Sequence, residues 1–349
     1  LRKLFGNSMK VNPIAGLVAV VLLVSCNKDK EILNSLNDYN LSMEQKGYHY
    51  NDKLKIPGDV LENAETITIS FGDKETSDLT INPKFFGLGD NDVTFVVKTK
   101  GGKILYQDAT INVFAKNPEK KMSYQIVAEY PHDPDNFIEG FTVEGNTVYE
   151  SVGLEKSSKL LKYNLGGTIP GSVTKQPADI FSEGCATAGD KIFQLTYRNR
   201  KGFVYDKSSL KLISEFPLAS AMKEGWGLTY DGKNLIATDG SKNLYFLNVN
   251  DPSIVLKTMS VAGSAEVYDQ LNELEYHNGF IYSNIWHKPI ILKINPVNGE
   301  VVGTFDFTQM TAENSGDNTE HVLNGIAFKG DNMLVTGKNW AKIYEVAIK

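Results

Sequence analysis

At 349 residues the chain is long enough for one large domain with a smaller companion, or for two to three average domains. Its net charge of −6 argues against a nucleic-acid binder, which would carry a basic face. Aromatic residues are plentiful, with 16 Tyr, 17 Phe and 3 Trp, and they suit strands or, where exposed, ligand platforms.

The first 26 residues carry a leader pattern. Met9 and Lys10 precede an apolar run, PIAGLVAVVLLVSC, that ends at Cys26. Its apolar core, Ile14 to Val24, is 11 residues long, against the about 20 of a membrane-spanning helix. The Leu-Val-Ser-Cys ending resembles a bacterial lipoprotein box. That resemblance implies a signal peptide over residues 1–26 with its true start at Met9, and lipidation of Cys26. It also implies a membrane-anchored lipoprotein of the bacterial cell envelope, facing the periplasm or the cell surface. The other cysteine, Cys185, is then a lone thiol and reads as a small buried residue.

Residues 27–55 are polar, without a clear period, and read as linker. From 64 to 115 the pattern becomes alternation: AETITISF, SDLTINP and DVTFVVKTKGGKILYQDATINVF. The Gly101-Gly102 pair between two alternating runs is a hairpin signal. So short a segment predicts a small immunoglobulin-like β-sandwich acting as a spacer. AKNPEKK, at 115–121, reads as a hinge and domain boundary.

Residues 122–349 are organised by five glycines, Gly145, Gly189, Gly232, Gly279 and Gly330, spaced 44, 43, 47 and 51 residues apart. Each is followed by an apolar strand, a break and a second apolar strand. A strand-built repeat of this length is the mark of a propeller blade. The first four units each have one more strand-like run, whereas the fifth meets the end of the sequence. SYQIVAEYP (123–131) is available to complete it. The expected fold class is therefore all-β: a five-bladed β-propeller over 122–349, preceded by the small immunoglobulin-like β-sandwich over 56–117.

Six residues before the glycines stand Glu139, Glu183, Trp226, Glu273 and Asn324, with Asn272 beside Glu273. Seven or eight residues after them stand Tyr197, Asp239, Trp286 and Lys338. In a propeller the first strand of a blade starts, and the second ends, at one face, so both sets converge on one channel mouth. Such a convergence of carboxylates, indoles, amides and a lysine suits a small-molecule pocket. Each residue also has an ordinary reading: the tryptophans as packing between blades, the Glu-Gly pairs as solvated turns, Lys338 as a surface lysine. Asp239 in ATDGSKN reads first as a turn, and it is left out of the candidate site together with Glu273. The sequence contains no HExxH, CxxC pair, P-loop, GxSxG or dinucleotide fingerprint, so neither a nucleophilic triad nor a catalytic zinc is supported.

The segments FIEGFTVEGNTVYESVG, FSEGCATAGDKIFQLTY, EGWGLTYDGKNLIATDGS, LNELEYHNGFIYSNIW, VLNGIAF and LVTGKNWAKIYEV resemble the plant- and bacterial-type glutaminyl cyclases, over residues 124–349 or so. The resemblance implies a five-bladed propeller enzyme, a glutaminyl-peptide cyclotransferase. Such an enzyme converts the N-terminal glutamine of peptides and proteins to pyroglutamate and releases ammonia. Carried over by motif, it implies Glu183 of FSEGC as general acid/base and Glu139 as a second carboxylate. Asn272 of LNELEY and Lys338 of VTGK would donate to the amide oxygen, and Trp226, Trp286 and Tyr197 would enclose the glutamine side chain. Two positions depart from the family pattern: Tyr197 stands where a tryptophan is usual, and Cys185 where a leucine is. The chemistry implied needs no cofactor; a structural calcium in the channel is expected, with ligands unassigned. The partners implied are glutamine-initiated peptides and a membrane, not nucleic acid, and a monomer is expected. The competing reading is a non-catalytic cell-surface propeller that binds peptides or glycans. A calcium-dependent hydrolase of the lactonase kind is disfavoured, because those usually have six blades.

Overall fold

The computed structural model describes residues 28–42, 47–167 and 170–349. The leader expected over 1–26, with its lipidation at Cys26, lies outside these residues. The chain divides into two compact units, one holding the described residues up to Val113 apart from 87–89, the other holding 87–89 and Phe114–Lys349.

The first unit corrects two expectations. Residues 28–42 are helical rather than linker, and Ile32 and Leu36, one helical turn apart, are buried. Leu54 and Ile56, also within or beside the expected linker, are buried too. Among the described residues this unit has one four-stranded antiparallel sheet, not the two of a sandwich. The strand Gly89–Thr99 buries Val93, Phe95 and Val97 on one face, and Tyr39 of the helix lies with its ring 6.5 Å from that of Phe95. Alternation in a strand says that one face is covered, not by what; here a helix covers it. The Gly101-Gly102 hairpin forms, with the Thr99 amide donating to the Lys103 carbonyl at 2.8 Å.

Among the described residues the second unit is a succession of five sheets, here sheets I to V, each built on consecutive antiparallel strands, four in sheets I to IV and three in sheet V. Their first strands are Ile138–Glu144, Ser182–Ala188, Leu228–Tyr230, Leu271–His277 and Leu323–Lys329. The five repeated glycines sit in the turns that follow these strands, all at positive φ, where an L side chain would be strained. Sheet V is completed by Tyr124–Pro131, which pairs antiparallel with Lys342–Ile348. The segment 115–121 is tied to this unit rather than free as a hinge. Lys120–Met122 adds a parallel strand to Val301–Asp306 of sheet IV, and the Glu119 carboxylate accepts from Ser264 and Tyr268.

An apolar cluster fills each gap between neighbouring sheets, I on II, II on III, III on IV and IV on V. A fifth cluster joins sheet V back to sheet I through Ile138, Phe141, Leu161, Ala327 and Ile343. The first strands of successive sheets also pack in a cycle. Gly140, Gly184 and Gly227 make that possible, since a Cβ on any of them would collide with the backbone of the next first strand, at Cys185, Trp226 and Asn272 respectively. The fourth sheet breaks this pattern: its equivalent position holds Glu273, whose carboxylate accepts from the amides of Phe141 at 3.2 Å and Ile326 at 2.8 Å.

Candidate active site

The site is built where the first strands begin. In sheets I, II, IV and V the pairing register breaks at the same place, around Glu139, Glu183, Asn272 and Asn324. A bulge adds a residue to one strand and re-aims its side chain, a device common beside active sites. In sheet III the strand starts only at Leu228, and Trp226 is held ahead of it by its amide donating to the Thr238 carbonyl at 3.0 Å.

All seven residues expected from the sequence, Glu139, Glu183, Tyr197, Trp226, Asn272, Trp286 and Lys338, line one cavity of about 320 Å³. Phe137, Leu154, Phe181 and Glu320 line it as well and were not anticipated. Phe137 and Phe181 had a signal, since each stands two residues before its glutamate in a repeated Phe-x-Glu-Gly. Glu320 had none, because it lies in the long connection between sheets IV and V. A larger cavity, about 370 Å³, opens beside His132 and Tyr163. Its Tyr163 and His132 are already engaged with Glu150, the first donating at 2.6 Å and the second with Nε2 at 3.1 Å, and Asp133 accepts from the Asp135 amide at 3.1 Å, so the smaller cavity is the better candidate.

The two cavity glutamates differ in their partners. Lys338 Nζ donates to Glu139 Oε1 at 2.7 Å, with both side chains almost fully buried. Asn324 Nδ2 lies 3.4 Å from the other Glu139 oxygen, and the Lys338 ammonium sits 4.5 Å from the Phe137 ring centre. Burial pushes the Glu139 carboxyl up and the lysine pulls it back. Glu183 is equally buried, yet among the described residues its carboxyl has no hydrogen-bond partner. Burial, and then the neighbouring Glu139 charge, hold its pKa well above the usual carboxylate range. The two neighbouring carboxyls therefore differ in environment, one paired with a lysine and one held protonated more tightly by burial and its neighbour's charge.

The remaining wall is aromatic. Trp226 and Trp286 meet edge to face with centroids 5.7 Å apart, and Tyr197 lies 6.5 Å from Trp226. Trp226 Nε1 donates to Glu224 at 3.1 Å, which fixes the indole. Arg198 lies 4.5 Å from the Tyr197 ring centre, donates to its hydroxyl at 2.8 Å and pairs with Glu224 at 3.0 Å. Asn272 lines the cavity, and its Oδ1 is buried without a hydrogen-bond partner among the described residues.

The residues left out of the candidate site stay out of the cavity. Asp239 accepts from Ser241, Tyr245 and the Lys223 amide, a turn-stabilising role. Glu273 is wholly buried with both oxygens on amides. A protein calcium site takes about six to eight oxygen ligands. Among the described residues no group of three or more His, Cys, Asp or Glu is arranged to hold a metal. Cys185 is buried, and burial pushes its thiol well up, which leaves it unreactive.

A mostly-β chain of small antiparallel sheets, with an aromatic, carboxylate-bearing cavity where the first strands begin, defines the class. The chain belongs to the glutamine cyclotransferase family, whose model matches residues 102–348. It is 35% identical over 230 residues to a glutaminyl-peptide cyclotransferase of Arabidopsis thaliana, covering 64% of this chain and 71% of the plant protein. It also superimposes on the crystal structure of Myxococcus xanthus glutaminyl cyclase, with a TM-score of 0.61 and 30% identity, covering 66% of this chain and 98% of that one.

Proposed function

We propose that the protein is a glutaminyl-peptide cyclotransferase that closes N-terminal glutamine to pyroglutamate, with Glu183 as the proton carrier. The observation that carries this reading is the pairing of a buried, unpartnered carboxyl with an aromatic cavity in a chain of this family. The reaction joins the substrate's α-nitrogen to its own side-chain amide carbon. Because both groups belong to one residue, orientation supplies much of the acceleration, and the three aromatic rings supply the orientation. As the new C–N bond forms, the α-nitrogen gains positive charge and passes a proton to Glu183. The same carboxyl returns that proton to the departing NH2 group, so ammonia leaves and Glu183 ends as it began. Burial raises the Glu183 pKa, so its carboxylate takes up a proton more readily than an ordinary glutamate.

Glu139 binds Lys338 and directs it. One ammonium hydrogen is used by Glu139. The other two are free for the amide oxygen as it becomes anionic. The Asn272 NH2 group donates to the same oxygen beside Lys338. The 2.7 Å lysine pair makes this second carboxylate first a positioning group.

The five sheets are read as the blades of one closed propeller. The cyclic series of apolar clusters and the completion of sheet V by Tyr124–Pro131 support this. The chain is held to the bacterial envelope through Cys26 and works there as a monomer on glutamine-initiated peptides and proteins. Labelled palmitate incorporated by the wild type and lost in Cys26→Ala checks the anchor.

The function is tested by coupled ammonia release from a glutamine-initiated dipeptide, with a glutamate-initiated dipeptide as control. Release from the first and not the second is expected; no release from either would overturn the reading.

A further inference from the structure

We propose that Glu320 is a specificity-determining residue, whose carboxylate forms a subsite at the cavity mouth for a basic side chain immediately following the N-terminal glutamine. The inference rests on the cyclotransferase reading and names a substrate class for it.

Glu320 lines the same cavity as Glu139 and Glu183, but its side chain is 51% exposed where theirs are buried. It therefore marks the mouth rather than the floor. Its backbone is anchored: the Glu320 amide donates to Asn318 Oδ1 at 2.9 Å. The carbonyl of the next residue, His321, accepts from Ser315 Oγ at 2.6 Å and from the indole of the buried Trp340 at 3.0 Å. The carboxylate itself is barely engaged. His287 Nε2 stands 3.7 Å away, too far for a good hydrogen bond.

The charge along its own stretch of chain has one sign. From Lys293 to Lys329 the sequence contains no other lysine or arginine, and five carboxylates, Glu300, Asp306, Glu313, Asp317 and Glu320. At the aromatic wall the guanidinium of Arg198 is spoken for by Glu224 and Tyr197. The cation needed to complete Glu320 is thus absent from its own loop.

The reaction decides what passes this point. Cyclisation requires the α-nitrogen and the side-chain amide of glutamine to lie together inside the cavity, so the rest of the peptide leaves through the mouth. The next residue is the first to do so, and a lysine or arginine there meets Glu320. An exposed pair of this kind is weak and screened by salt, so the expected preference is about two- to fivefold for each added or removed charge.

The test compares kcat/KM for ammonia release from three C-terminally amidated tripeptides beginning Gln-Lys, Gln-Ala and Gln-Glu. The wild type is expected to rank them in that order, with the spread shrinking at high salt. Glu320→Gln should bring the Gln-Lys to Gln-Glu ratio close to one, and Glu320→Lys should invert it. Asp317→Asn removes the same charge from the same loop outside the cavity and should leave the ratio in place. A ratio unchanged in Glu320→Gln, or lost equally in Asp317→Asn, would overturn the subsite while leaving the cyclotransferase reading intact. Absence of ammonia from all three peptides with the wild type would overturn that reading and the subsite with it.

Discussion

Glu183 and Glu273 each stand six residues before a turn glycine, although the strand register sets Glu273 level with Gly184, and both are buried carboxyls whose pKa burial drives well up. They differ in what meets them. Glu273 sits where sheets I, II and III have a glycine, crosses to sheets I and V, and gives one oxygen each to the Phe141 and Ile326 amides. Glu183, in sheet II, faces the cavity with no partner among the described residues. Burial and proton affinity do not separate these two carboxyls; the partners do. A carboxyl that ties two strands together has its lone pairs committed, whereas one that faces a cavity unpaired retains them for a substrate.

The comparison can be broken in several ways. The largest effect is expected from Glu183→Gln, which keeps the shape and removes the proton carrier. Turnover should fall about 10²- to 10⁴-fold, the range of general acid–base catalysis. The same variant should be more stable than wild type at alkaline pH. The folded state holds the Glu183 proton above the pKa near 4.3 at which the unfolded chain releases it, so wild-type stability falls as pH rises from there toward the folded pKa, and Gln escapes this loss. Melting curves at pH 4 and pH 8 check the sign; a gain confined to pH 4 would count against a raised pKa.

Lys338→Met should come next. It leaves the Glu139 carboxylate buried without its cation, a loss of about 3–5 kcal/mol for a broken buried pair. Adding Glu139→Gln should restore much of that stability without restoring turnover, as read by denaturant unfolding beside the ammonia assay. Additive losses in the double variant would show that the pair is not coupled.

Glu273→Ala should act on stability instead of chemistry. Two buried amides lose their acceptor, at about 1–3 kcal/mol each, and Tm should drop while the folded protein keeps its turnover within a few-fold. The smallest effect is expected of Tyr197→Phe, which removes the hydroxyl that Arg198 holds but keeps the ring in the aromatic wall. A change in kcat/KM below about fivefold is expected for an exposed contact of this kind.

Much of the site was legible because its residues keep fixed offsets from the turn glycines, and strand alternation turns such offsets into a shared face. Tyr197, Trp286 and Lys338 follow the glycines in the same way that Glu139 and Glu183 precede them. The Glu139–Lys338 ion pair was not legible. Its partners are 199 residues apart and meet only because sheet V packs back onto sheet I. Glu320 belongs to a connection that has no counterpart in the other repeats, so no offset marked it. The helix over 28–42 was missed because its apolar signal is little more than Ile32 and Leu36 in a polar run, too short to establish a period.

The most direct measurement is ammonia release from a glutamine-initiated peptide by Glu183→Gln and Glu273→Gln, assayed side by side on protein shown to be folded. The account predicts that the first is silent and the second active. Turnover in Glu183→Gln at the wild-type rate, or a folded Glu273→Gln that is inactive, would contradict it.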